Sequence, residues 1–79
     1  MKIVKDENLS LKAKGMYLMI NELVTNNETI GLKRIKEFVT DGETAIRGAI
    51  NELIENGYIE REMIRINGKI RGIEYRVKK

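Results

Sequence analysis

Cysteine, histidine and proline are all absent from this 79-residue chain. Without cysteine there is no disulfide, no thiolate metal site and no cysteine nucleophile, and a reducing cytoplasm is the expected compartment. Without histidine the chain lacks the usual base near neutral pH and the commonest metal ligand. The lack of proline removes any proline-rich linker as an internal boundary. No apolar run approaches membrane-spanning length, and no signal-peptide pattern opens the chain. Glu22, Glu52, Glu55, Glu60 and Glu62 supply carboxylates but no paired acid–base site, and no glycine-rich phosphate loop accompanies them. The expectation is therefore a protein that is not an enzyme, with no metal, no cofactor, no small-molecule ligand and no membrane partner.

What is present is 42% hydrophobic residues, enough for one small domain with a thin core. The net charge is only +3, but it is unevenly spread. Residues 61–79 carry seven basic and two acidic side chains, a balance of +5. Residues 1–60 carry eight basic and ten acidic ones, a balance of −2. A positive field confined to one end suits a polyanionic partner better than a uniform surplus does. Exposed basic strands also deter aggregation, so charge by itself leaves both readings open.

Apolar periodicity orders the elements. Residues 1–9 read as a polar, extended arm with Ile3 and Val4 available for packing. Ser10 is placed to cap a first helix. Its stripe is Ala13, Met16, Tyr17, Ile20, Leu23 and Val24. Leu18 and Met19 widen the stripe, which predicts burial on more than one side. Gly15 inside this helix predicts close packing against a neighbouring backbone, and Asn26 and Asn27 are expected to end it. Glu28 to Gly31 is long enough only for a minimal strand. A short helix from about Leu32 would turn Leu32, Ile35, Phe38 and Val39 inward and leave Lys33, Arg34, Lys36 and Glu37 in water. Thr40-Asp41-Gly42-Glu43 has the spacing of a capping box. Ile46, Ala49, Ile50, Leu53 and Ile54 then line a third helix that Gly57 should end. The turn between these last two helices would span only about three residues, as in a helix-turn-helix.

Asn67-Gly68 between alternating runs signals a hairpin. An unbroken two-residue register would split its apolar residues between the faces. One bulged residue puts Ile59, Met63, Ile73, Tyr75 and Val77 on one side, and a sheet with one buried face selects that register. Arg61 would share this face, its stem along Tyr75 and its head in water. Three helices followed by a basic hairpin predict an α+β fold, a winged helix-turn-helix. The division is an arm over 1–9, a three-helix core over 10–57 and a hairpin wing over 58–77, all in one domain of 1–79.

LSLKAKGMYLMI (residues 9–20) and the run from Gly42 to Val77 resemble the winged-helix domain that opens phage and plasmid replication proteins. These are the replisome-organiser and DnaD-like primosomal proteins. The matching pieces are Leu9–Gly15 in the first helix, Asp41–Leu53 in the recognition helix, Asn56–Glu62 in the first wing strand and Gly72–Tyr75 in the second. The resemblance implies double-stranded DNA binding, with possible homodimerisation through the N-terminal arm and first helix. Relatives commonly continue into a second domain, which this sequence does not include.

On the third helix, Thr44 and Arg47 can reach phosphates or base edges and Asn51 can pair with adenine. Glu52 and Glu55 make the second half acidic, so the first turns are expected to enter the groove. Glu43 would be explained by its capping role. Gly48 permits close approach of a phosphate or partner, or tight packing on the hairpin. Lys33, Arg34 and Lys36 could flank the duplex. Arg65, Lys69 and Arg71 surround the hairpin tip, which in a winged helix reaches the adjacent groove or backbone. A transcriptional regulator would use the same parts. A protein-interaction or dimerisation module is the rival, with the Leu18 side and the Ile3-Val4 arm as its interface.

Overall fold

A computed structural model describes residues 2–24 and 28–78. It is an α+β domain of three α-helices and a three-stranded antiparallel sheet, with a 3-10 turn at Lys2–Lys5. The α-helices are α1 (Leu11–Leu23), α2 (Leu32–Lys36) and α3 (Glu43–Glu55). The strands are β1 (Ile30–Gly31), β2 (Ile59–Ile66) and β3 (Lys69–Val77), in the spatial order β1-β3-β2.

The first residues do not form an extended arm. They coil into the 3-10 turn, which buries Ile3 in the core and leaves Val4 exposed. The segment is then tied down. The Tyr58 hydroxyl donates to Asp6 Oδ2 at 2.6 Å, and the Asn8 N–H donates to Asp6 Oδ1 at 2.9 Å. Tyr17 and Tyr58 meet edge to face at 5.6 Å beside this contact.

Ser10 caps α1 as its sequence position predicts, its Oγ accepting from the Ala13 N–H. Ala13, Met16 and Ile20 are buried, with Tyr17, Leu23 and Val24 packed beside them. The opposite face is open. Leu11 and Leu18 are exposed, so α1 buries one side only, against expectation. Nor is Gly15 held by a close backbone, because a Cβ there would meet nothing within 4 Å. The expected end at Asn26 and Asn27 lies outside the described residues. The last turn finishes at Leu23, with the Val24 N–H donating to the Ile20 carbonyl at 3.0 Å.

β1 is two residues long and pairs Ile30 with Tyr75 and Gly31 with Glu74. In α2 only Ile35 is fully buried. Phe38, expected inside, is about half exposed with the Arg34 guanidinium 4.8 Å above its ring. The link from α2 to α3 runs over residues 37–42, twice the expected length. The capping box fails for the same reason. The helix begins at Glu43 behind Gly42, which has no side chain to cap with, so neither Thr40 nor Asp41 caps it. Capping requires the residue just before the first helical turn, and the longer link moves Thr40 out of that position. Ile46, Ala49, Ile50 and Leu53 face inward as the spacing demands, and Gly57 takes the left-handed conformation at φ 79°.

The hairpin turns on Asn67 and Gly68, both at positive φ, as a two-residue turn requires. Ile66 pairs with Lys69 and Arg65 with Ile70. From Ile64, opposite Gly72, the register is shifted by one, which leaves Arg71 as the bulged residue. Ile59, Arg61 and Met63 therefore stand opposite Val77, Tyr75 and Ile73 on one face, as predicted. Only the base of that face is covered. Ile59 and Tyr75 are buried, whereas Met63 and Ile73 are about half exposed. The core thus lies where α1, α3 and the sheet base converge, and no charged residue is buried among the described residues.

Candidate nucleic-acid interface

Arg34, Lys36 and Arg47 of the helices face carboxylates; among the described residues Lys33 and the cations of the hairpin tip do not. On α3, Arg47 donates from Nη2 at 2.7 Å and from Nε at 3.2 Å to Glu43 Oε1. The other carboxylate oxygen of Glu43 lies 3.9 Å from Lys36 Nζ, which joins α2 to α3. Hydrogen bonding and charge from Arg47 hold the Glu43 carboxyl below its ordinary range, with a smaller contribution from Lys36. The same contact raises Arg47, and the nearby Tyr75 adds a little. Glu43 is thus present not as a cap but as the residue that orients Arg47. Arg34 is paired with Glu37 at 3.2 Å and stacked on Phe38. Lys33 is exposed and has no ion pair among the described residues.

Thr44, Gly48, Asn51 and Glu55 follow one line along the outside of α3, and all four are exposed. Gly48 is not packed on the hairpin, since a Cβ there would meet nothing within 4 Å. Its backbone is open to close approach from outside. Glu52 lies off this line and has a structural task that its sequence position did not reveal. Its Oε1 accepts from the Ser10 N–H at 2.8 Å and its Oε2 from the Ser10 hydroxyl at 2.7 Å. These two bonds hold its carboxyl below the usual range and latch the start of α1 onto α3. Ser10 does double duty, capping α1 while donating to Glu52, and no local spacing signals a contact between residues so far apart. Neutral donors leave the Glu52 carboxylate charged, so Glu52 and Glu55 both keep the second half of α3 acidic.

Arg65, Lys69 and Arg71 are all exposed, and none is paired with a carboxylate among the described residues. Across the hairpin Arg65 is opposite Ile70, and Lys69 is opposite Ile66. Strand alternation puts these two pairs on opposite faces, so the tip is basic on both sides. Lower down, Arg76 donates to Glu62 at 2.5 Å in an ion pair near the hairpin base, and Glu74 accepts from the neutral Thr29 hydroxyl. Arg65 continues the face on which Ile59 and Tyr75 are covered by the helices. Arg47 and Arg65 therefore belong to the same side of the sheet. The tip also carries exposed Ile66 and Ile70, so it is apolar as well as basic.

Among the described residues no group of histidine, cysteine, aspartate or glutamate could hold a metal ion. No helix among them is long and apolar enough to cross a membrane. Comparison of the chain with protein-family models, with curated proteins and with solved structures finds no match.

Proposed function

We propose that this chain is a winged-helix domain that binds double-stranded DNA, with α3 as its recognition helix and the β2–β3 hairpin as its wing. The observation that carries the reading is the cluster of Arg65, Lys69 and Arg71, exposed and without a carboxylate partner among the described residues, at the far end of a body whose own charge is −2. Free cations are what a phosphate backbone recruits, because each contact releases condensed counterions. Arg47, oriented by Glu43 on the same side of the sheet as Arg65, supplies the base-reading element, with Thr44 and Asn51 beside it. Lys33 and Arg34 flank the duplex. The likeness of the Leu9–Gly15 and Asp41–Leu53 motifs to replication proteins supports a setting in phage, plasmid or mobile-element replication. A transcriptional regulator would use the same surface.

The test is titration of a fluorescent duplex across a salt series. Log affinity falls against log salt with a slope of about −0.9 per phosphate contact. Replacing Arg65, Lys69 and Arg71 together should flatten that slope by about two to three units. The loss should be alike on every sequence, since phosphates carry no base identity. An unchanged slope would take the hairpin off the DNA. A parent that binds no duplex at low salt would remove the nucleic-acid reading and favour a protein-interaction module.

A further inference from the structure

α1 and α3 border a cavity of about 210 Å³. The two helices run antiparallel, because Ser10 at the start of α1 is bonded to Glu52 near the end of α3. Gly15 lines the cavity from one side and Ala45 and Ala49 from the other, and small residues on both helices leave room between them. A Cβ at Gly15 would meet nothing within 4 Å, at a position where alanine would favour the helix more. Met16 and Met19 complete the α1 wall. Two lining residues are charged, and they stand at opposite ends. Lys12 belongs to the Ala49 end, and Asp41 to the Met19 end, about 10 Å farther along the helix axis. Lys12 lies close enough to Glu52 to help hold that carboxyl below its ordinary range. The Asp41 carboxylate makes no hydrogen bond or ion pair among the described residues. The lining thus offers one uncompensated charge, and it is negative.

We propose that this cavity binds a small organic cation, one aromatic ring on a short ammonium-bearing chain, with the ring between α1 and α3 and the ammonium beside Asp41. An apolar cavity of about 150 Å³ already admits benzene, so this one has room for a ring and a short chain. The two thioethers in the wall favour an aromatic ring, since sulfur makes favourable contacts at ring edges. The unpaired carboxylate selects a cation over a neutral molecule or an anion. Asp41 is exposed, so it contributes selectivity more than affinity. The site is separate from the outward line of Thr44, Gly48 and Asn51, because Ala45 and Ala49 turn to the α1 side of the same helix. Composition leads to the expectation of no small-molecule ligand. The cavity arises where two helices distant in sequence pack, which composition does not register.

Titration of the intact chain with phenethylamine near neutral pH, without DNA and followed by amide chemical shifts, tests this. Shifts at Gly15, Met19 and Ala45 should saturate with a dissociation constant of about 1 mM, ordinary for a ligand of so few atoms, while the hairpin tip stays unchanged. Phenethyl alcohol, with a hydroxyl in place of the ammonium, should bind about three- to fivefold more weakly, the size of an exposed ion pair. Hydrocinnamate, an anion of similar size, should be weaker still. Asp41→Asn should bring the amine to the affinity of the alcohol. Gly15→Leu and Ala45→Leu fill the space from either wall, and each should weaken all three probes at least about tenfold. Asp41 lies in the exposed link outside the core, so its variant decides the matter even where a cavity-filling one fails to fold. No saturating shift at these residues with any probe up to about 10 mM would overturn the proposal. Equal affinity for amine and alcohol would overturn it too, as would an amine preference that survives Asp41→Asn. None of these results bears on the DNA-binding reading, which the salt series tests.

Discussion

Leu53 has no exposed surface and sits on α3 where that helix meets α1 and the sheet base. Leu53→Ala should cost roughly 2–5 kcal/mol, a large share of what so small a domain has. Urea denaturation gives the number, and a change under about 0.5 kcal/mol, the usual size of a surface substitution, would mean the inward face is misassigned. Gly15 is the opposite case. Its Cβ space is empty, so Gly15→Ala should stabilise the monomer by about 0.5–1 kcal/mol through helix propensity. Arg47 bears on the proposed function instead. With Nε and Nη2 on Glu43, its Nη1 makes no hydrogen bond among the described residues and is available to a base or phosphate. Under the proposed function, Arg47→Ala should weaken duplex binding by about 1–3 kcal/mol and relax preference at one base position. Equal affinity before and after would take α3 off the DNA.

At the scale of elements, the N-terminal segment is held to the start of β2 by a contact that titrates. Asp6 lies below its ordinary 3.8, chiefly because the Tyr58 hydroxyl donates to it and then because the Asn8 N–H does. A lowered carboxyl contributes stability that is full above its ordinary value and is lost as pH falls through the lowered one. Tyr58 is raised above its ordinary 10.0 by the same bond, so at the alkaline end the contribution lasts until pH passes that raised value. Tyr58→Phe should therefore be less stable than the parent at about pH 6 and should close on it as pH approaches about 2. Melting temperatures across that range decide it, and a gap independent of pH would show that the bond carries none of the acid sensitivity. Glu43 and Glu52 are also held below their ordinary 4.5, so the parent itself should lose stability as pH falls below that value.

The molecule as a whole measures 42 × 28 × 21 Å, and its charge is divided between an acidic body and a basic hairpin. That division predicts a separation of tasks. Arg65, Lys69 and Arg71 are exposed and pair with no carboxylate among the described residues, so their joint replacement should leave thermal stability within about 0.5 kcal/mol per site. The same variant is the one expected to lose the salt dependence of duplex binding. A large fall in melting temperature would mean that the tip cations serve the fold, and the salt-slope comparison would then lose its basis.

Much of this was legible along the chain because it depends on neighbours in sequence. The Ser10 cap, the inward line of α3, the left-handed Gly57 and the Asn67-Gly68 turn are each set within a few residues. The bulged register followed from apolar alternation, since a one-residue slip would have split the buried set. Other outcomes were decided only by packing. Whether Glu43 caps depends on where the α2–α3 link delivers the chain, and it delivers Gly42 to the cap. Glu52 became a latch because α1 and α3 cross near Ser10, a contact between residues 42 apart. The coiling of residues 2–5, the exposure of Phe38 and the open outer face of α1 have the same origin. Periodicity states which residues can share a face, but how much of that face is covered depends on what the rest of the chain brings against it.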